Sequence, residues 1–197
     1  MTNIVYKVTT DFIYPLTYQK SILFLFINIL FIVGKKVYFS ILIFCFFWNV
    51  LIFSAPVLID KGGIYTVISG FIYELFSRTC HQIDSRSFHI AGFKLAVCSR
   101  CISVYLSFFI GCIVYPVFNK LDNKNLPSLW YLMIALFLLV LDVGLDLLDI
   151  MGNTFFTRAV TGGLIGVVLP FYIIPGFVNF FAEVISFLNQ KRNLKNN

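Results

Sequence analysis

Hydrophobic positions in this chain gather into long unbroken runs instead of the alternation that marks half-buried strands. Residues 37–59, 97–118, 129–150 and 158–188 are almost wholly apolar. A helix needs about 20 such residues to cross a hydrocarbon core roughly 30 Å thick, so these runs predict transmembrane helices. Residues 21–34 form another run, between Lys20 and Lys35-Lys36. At 1.5 Å per residue it reaches only about 21 Å, which is short for a crossing. Residues 64–79 are shorter and more polar, with Glu74 placed one helical turn before Arg78 so that the two can pair. This segment is expected to pack inside the bundle. The predicted fold class is all-α, a polytopic transmembrane bundle of about five or six helices. Residues 1–197 are read as a single integral membrane domain, with an N-terminal extension over 1–36 and a basic tail over 189–197.

Polar and turn-forming residues punctuate the runs. Asp60-Lys61-Gly62-Gly63 stops one helix, the stretch 119–128 has turn composition, and Ser128 is placed to cap the helix that follows. Between Arg78 and Lys94, the segments 87–90 and 93–97 flank Ala91-Gly92. That pattern predicts a short extramembrane hairpin of two strands. Pro170 and Pro175 must kink or break the last run, and Gly162, Gly163 and Gly166 suit close helix contact. If 97–118 crosses and 129–150 returns, the connection at 151–157 lies on the same membrane face as the hairpin.

Composition agrees with a lipid environment. The chain is 59% hydrophobic and 12% charged, against roughly 25% charged for a soluble domain. Its net charge of +6 comes from Lys and Arg placed between and after the runs, where they set topology and meet anionic lipid. The expected partner is therefore the lipid bilayer, with no nucleic acid. Polar and charged residues recur over the first twenty or so positions before the first apolar run, and no small-residue cleavage site directly follows that run, so the helices themselves are expected to direct insertion. In a six-span layout, Lys7, Lys20, Lys61, Lys120, Lys124, Lys191, Arg192 and Lys195 gather on the face opposite the hairpin, while Lys35, Lys36 and Lys94 share its face with the candidate site arginines. The positive-inside rule then turns the hairpin outward, from what is expected to be the plasma (inner) membrane of a bacterium.

The concentrated chemistry is a cysteine-histidine cluster. Cys80 and His81 end one helix, Cys98 and Cys101 begin the next, and a Cys-x-x-Cys turn aims both thiolates at one point. Cys80, His81, Cys98 and Cys101 make four ligands suited to zinc or iron. Adjacent ligands such as Cys80 and His81 are geometrically awkward, so either His89 on the hairpin is the substitute fourth ligand or His81 supports the ligands from behind. The bland reading is inert buried thiols, which is assigned to Cys45 and Cys112 inside the apolar runs. Positive neighbours such as Arg86 and Arg100 favour thiolate, which serves metal ligation and disulfide exchange alike. A membrane thiol-disulfide oxidoreductase is thus the alternative, with Cys98 and Cys101 forming an exchangeable bond, Cys80 resolving it and a quinone taking the electrons. Metal leads, because the Cys-His pairing and the third cysteine exceed what a dithiol needs.

A second constellation is acidic. Asp142, Asp146 and Asp149 are spaced by four and three, which would line one helix face, with Asn153 and Arg158 just beyond and Arg100 and Glu74 on other helices. Such a ladder could hold a divalent cation that grips a diphosphate, making Arg100, Asp142, Asp146 and Arg158 catalytic candidates in a lipid- or diphosphate-modifying enzyme. The simpler reading is a buried ion-pair network fixing helix register. Arg86 is expected to pair with Asp84 at the surface, and Tyr105 to hydrogen-bond near the cysteines or sit at the interface.

Ser77-Arg78-Thr79-Cys80-His81-Gln82, Arg86-Ser87-Phe88, Gly92, Val97-Cys98-Ser99-Arg100-Cys101 and Tyr105 resemble the signature of domain of unknown function 2085, a family of predicted membrane proteins. Ala55-Pro56, Asp142, Asn153, Arg158 and Gly162 fit the same pattern, and the resemblance covers about residues 50–170. It departs at Ile102-Ser103, where the family has a small polar residue and glycine, and at Asp146, where an amide is common. The resemblance implies the fold and the site, and it carries no activity.

Overall fold

The computed structural model describes residues 34–196 other than Asp122 and Lys124. The run at 21–34 lies outside the described residues except for Gly34, where helix α1 (Gly34–Lys61) begins. There follow α2 (Ile64–Ser77), strands β1 (His89–Ile90) and β2 (Phe93–Lys94), α3 (Ser99–Phe118), α4 (Leu129–Leu147), α5 (Phe155–Val168) and α6 (Pro170–Asn196). Among the described residues, four helical stretches are long and apolar enough to cross a membrane: α1, α3, α4 and the continuous length Phe155–Leu188. The outward faces of these helices meet lipid. On α4 only Ala135 is buried, and Trp130, Phe137 and Val140 stand exposed along it.

Helix α2 is the chief difference from expectation. Its 14 residues span about 21 Å, too short for a crossing. After the positive-φ glycines Gly62 and Gly63 it folds back along α1: Ser69 Oγ donates to the Ala55 carbonyl over 2.7 Å, and the rings of Trp48 and Phe76 meet edge to face at 4.9 Å. Only Ser69, Ile72 and Phe76 are buried, while Ile64, Val67 and Phe71 point outward. The segment therefore lies against the bundle on one face instead of inside it, since its other faces carry exposed side chains.

This foldback redistributes the charges. Tyr38 stacks on Tyr115 at 6.5 Å, and Asn49 donates to the Tyr105 carbonyl over 3.4 Å, so α1 and α3 run antiparallel. Lys61 at the end of α1 consequently stands at the cysteine end of α3, and Lys35 and Lys36 stand at the other end with Lys120. Lys61 has thus changed places with Lys35 and Lys36 relative to the six-span layout, whereas Lys120 keeps its face opposite the hairpin.

Helices α3 and α5 run side by side in the same direction and approach closely. A Cβ on Gly162 would lie 2.7 Å from the Arg100 carbonyl, and one on Gly166 would lie 2.4 Å from that of Val104. Small residues spaced by four permit such contact, and it fixes the first turn of α3. The last run breaks at Leu169, before Pro170, whose missing N–H is tolerated at the start of α6. Pro175 sits inside that helix.

Candidate metal centre

Cys80 and the Cys98-Cys101 turn converge because the 17 residues between Cys80 and Cys98 are tied down at both ends. The hairpin pairs His89 with Lys94 and Ile90 with Phe93 in antiparallel register. Its turn carries Ala91 at φ 52° and Gly92 at φ 81°, the two positive values of a type I′ turn. Tyr73 Oη on α2 donates to the Lys94 carbonyl. Gln82, itself at φ 49°, donates from its amide nitrogen to the carbonyls of Tyr73 at 2.7 Å and Ala96 at 2.8 Å. The Lys94 ammonium returns a bond to the Gln82 carbonyl at 2.8 Å. Cys80 is buried in the core formed by Ile52, Ala55, Ile72, Phe76, Val97 and Ile102.

In this frame the backbone N–H of Cys98 donates to Cys80 Sγ over 3.1 Å. The sulfurs of Cys80, Cys98 and Cys101 all lie within 4.8 Å of one another. Hydrogen bonds from the Cys101 and then the Cys80 thiol hold the Cys98 thiol well below its ordinary range. The sulfurs border a cavity of about 180 Å³ that is also lined by Thr79, His81, Arg86, Arg100 and Arg158. Three guanidinium groups therefore face three sulfurs.

The imidazoles are placed differently from the sulfurs. His81 lines the same cavity, yet among the described residues the donor atoms gathered within 4.8 Å are the three sulfurs. As neighbours in sequence, Cys80 and His81 project in different directions. His89 is on the exposed hairpin with Nε2 at 3.2 Å from Asp84 Oδ1, so it is engaged away from the cysteines.

The acidic constellation forms a part-buried ion-pair network behind the cavity. Arg100 Nη2 binds Asp142 Oδ2, which also accepts from Thr161 Oγ1 at 3.2 Å. Asp146 Oδ2 is shared by Arg86 at 3.4 Å and Arg158 at 3.9 Å, and its Oδ1 accepts the Asn153 N–H at 3.1 Å. Arg158 Nε in turn donates to Asn153 Oδ1. Arg86 thus pairs with Asp146 and not with Asp84. Asp149 is not on the helical face at all, because α4 ends at Leu147 and Asp149 adopts φ 54°. The connection after α4 does share a face with the hairpin: Phe88 stacks on Phe155 at 5.3 Å. Tyr105 packs against the core that contains Cys80, and Glu74 meets Arg78 at 3.7 Å as their spacing predicts.

Reasoning from sequence missed the roles of Gln82, Tyr73 and the Thr154-Thr157 capping box that starts α5. The box was legible as two threonines three apart before an apolar run. Gln82 offered no signal beyond its place in the Cys-His-Gln triplet.

The comparisons with known proteins agree with this architecture. Residues 80–192 match the family described as "Predicted membrane protein (DUF2085)". The matched region begins at Cys80 and so contains all three clustered cysteines and the ion-pair network. An uncharacterised protein of Methanocaldococcus jannaschii is 37% identical over 146 residues, which cover 73% of this chain and 94% of that protein. No solved structure matches the chain. By the extent of both matches, this chain belongs to the DUF2085 family of predicted membrane proteins.

Proposed function

We propose that this membrane protein holds a zinc or iron ion between Cys80, Cys98 and Cys101. The observation that carries the reading is the mutual approach of three sulfurs from two separate segments within 4.8 Å. A disulfide needs two sulfurs, and the third is here anchored in the core by burial and by the Cys98 N–H. Three thiolates around a divalent ion carry a net charge of −1, and the guanidiniums of Arg86, Arg100 and Arg158 along the cavity offset it. Two carboxylates for three arginines leave one positive charge in the network, which matches that anionic centre.

Three protein ligands leave a tetrahedral ion one open position. A fourth ligand would come from the cavity, which His81 lines, or from outside the chain. Zinc and iron both suit thiolate-rich sites, and bound metal protects its ligands from alkylation. In detergent-purified protein, peptides bearing Cys80, Cys98 and Cys101 are expected to resist maleimide until a strong chelator is added. Equal labelling of all three before and after chelation would contradict the assignment. A Cys98-Cys101 bond that opens only with reductant would instead select the oxidoreductase reading.

A further inference from the structure

A second pair of cysteines meets in the middle of the bundle. Cys45 of α1 and Cys112 of α3 are both buried, and they lie between the two contacts that pair these helices, the Tyr38–Tyr115 ring stack and the Asn49–Tyr105 hydrogen bond. Two features hold the helices at this separation. Asn49, one turn from Cys45, donates its amide both to the Cys45 carbonyl at 2.8 Å and across to α3 at Tyr105. On the other side of α3, a Cβ on Gly111 would lie 2.9 Å from Pro170 and from the Val167 carbonyl, so α3 has no room to retreat.

Cys45 also forms part of the wall of an apolar cleft of about 680 Å³ between α1, α3 and α6, together with Phe44, Phe108, Phe177 and Phe181. Phe44, Phe177 and Phe181 are exposed on the lipid side. Cys112 is wholly buried, so any oxidant must approach through Cys45 and from the apolar phase.

We propose that Cys45 and Cys112 form a reversible disulfide within the membrane, with a lipid-soluble quinone as the electron acceptor. In the step, both S–H bonds break and one S–S bond forms. The two electrons and two protons pass to the quinone, which becomes a hydroquinone. The bond ties α1 to α3 independently of the metal reading, since Cys112 lies three turns along α3 from Cys101, about 16 Å away.

The full chain in lipid nanodiscs, treated with decylubiquinone and then alkylated in denaturant without reductant, tests this by peptide mapping. The expected result is loss of both free thiols and a linked Cys45–Cys112 peptide pair, lighter by two hydrogens and separated by dithiothreitol. The wild-type map decides the matter whether or not a Cys112→Ser variant folds; in a folded variant the link disappears. Recovery of Cys45 and Cys112 as separate alkylated peptides after quinone treatment overturns the proposal. Equal linkage by oxidised glutathione alone overturns the membrane-phase oxidant.

Discussion

The main-chain N–H of Cys98 donates to the sulfur of Cys80 over 3.1 Å, between positions 18 apart in the chain. The N–H of a helix N-cap residue, as Cys98 is for α3, has no partner within the helix. Here a sulfur from the neighbouring segment supplies it, so the start of α3 and the placement of Cys80 depend on each other. The predictions below follow from the groups that enforce this contact.

Gln82 joins α2 to the chain entering α3 through two amide donations. Gln82→Ala leaves the carbonyls of Tyr73 and the buried Ala96 without their donor, which costs about 1–3 kcal/mol. Thermal unfolding in detergent should shift downward accordingly, and Cys80 should become accessible to maleimide. Gln82→Gly removes the positive-φ strain but not the lost bonds, so it should recover only part of the stability.

The glycines of α5 separate contact from propensity. Gly166→Ala places a Cβ 2.4 Å from the Val104 carbonyl, whereas a Cβ at Gly163 meets nothing within 4 Å. Gly166→Ala should lower stability and loosen the α3 turn that bears the cysteines. Gly163→Ala should be neutral or stabilising by up to about 1 kcal/mol, the helix preference of Ala over Gly. Paired melting curves check the contrast, and equal effects of the two substitutions would contradict the packing described for α3 and α5.

Asp142 and Asp149 make a similar control pair. Asp142→Asn weakens the partner of the part-buried Arg100 and should destabilise by about 3 kcal/mol. Asp149→Asn, outside the network, should leave the melting temperature unchanged. Because Asp142 and Asp146 are already engaged by arginines, added magnesium should not raise the melting temperature. A magnesium-dependent rise abolished by Asp142→Asn would restore the diphosphate-enzyme reading.

These residues also show what a sequence can and cannot disclose. The apolar runs announced α1, α3 and α4 within a few residues, because a lipid-spanning helix needs an unbroken length of side chains that the eye can count. The cysteine cluster was equally visible, since Cys80 and the Cys98-x-x-Cys101 turn sit where two helices must end and begin. Direction was harder to read. Nothing local distinguishes an α2 that crosses from one that doubles back, and the error moved Lys61 to the opposite face. Partner choice was harder still: Asp84 is two residues from Arg86 in sequence, but the carboxylate that Arg86 meets belongs to Asp146 on another helix. The approach of Cys45 to Cys112 depends in the same way on the pairing of α1 with α3, which no spacing within either run encodes.

Elemental analysis of detergent-purified protein, with thiol counting on the same samples, puts the central assignment to the most direct test. Wild type should carry zinc or iron in a one-to-one ratio with the chain, and the Cys80/Cys98/Cys101→Ser triple variant should carry none. A wild-type protein with no more metal than that variant, while its three cysteines count as ordinary reactive thiols or as a disulfide, would contradict the metal centre.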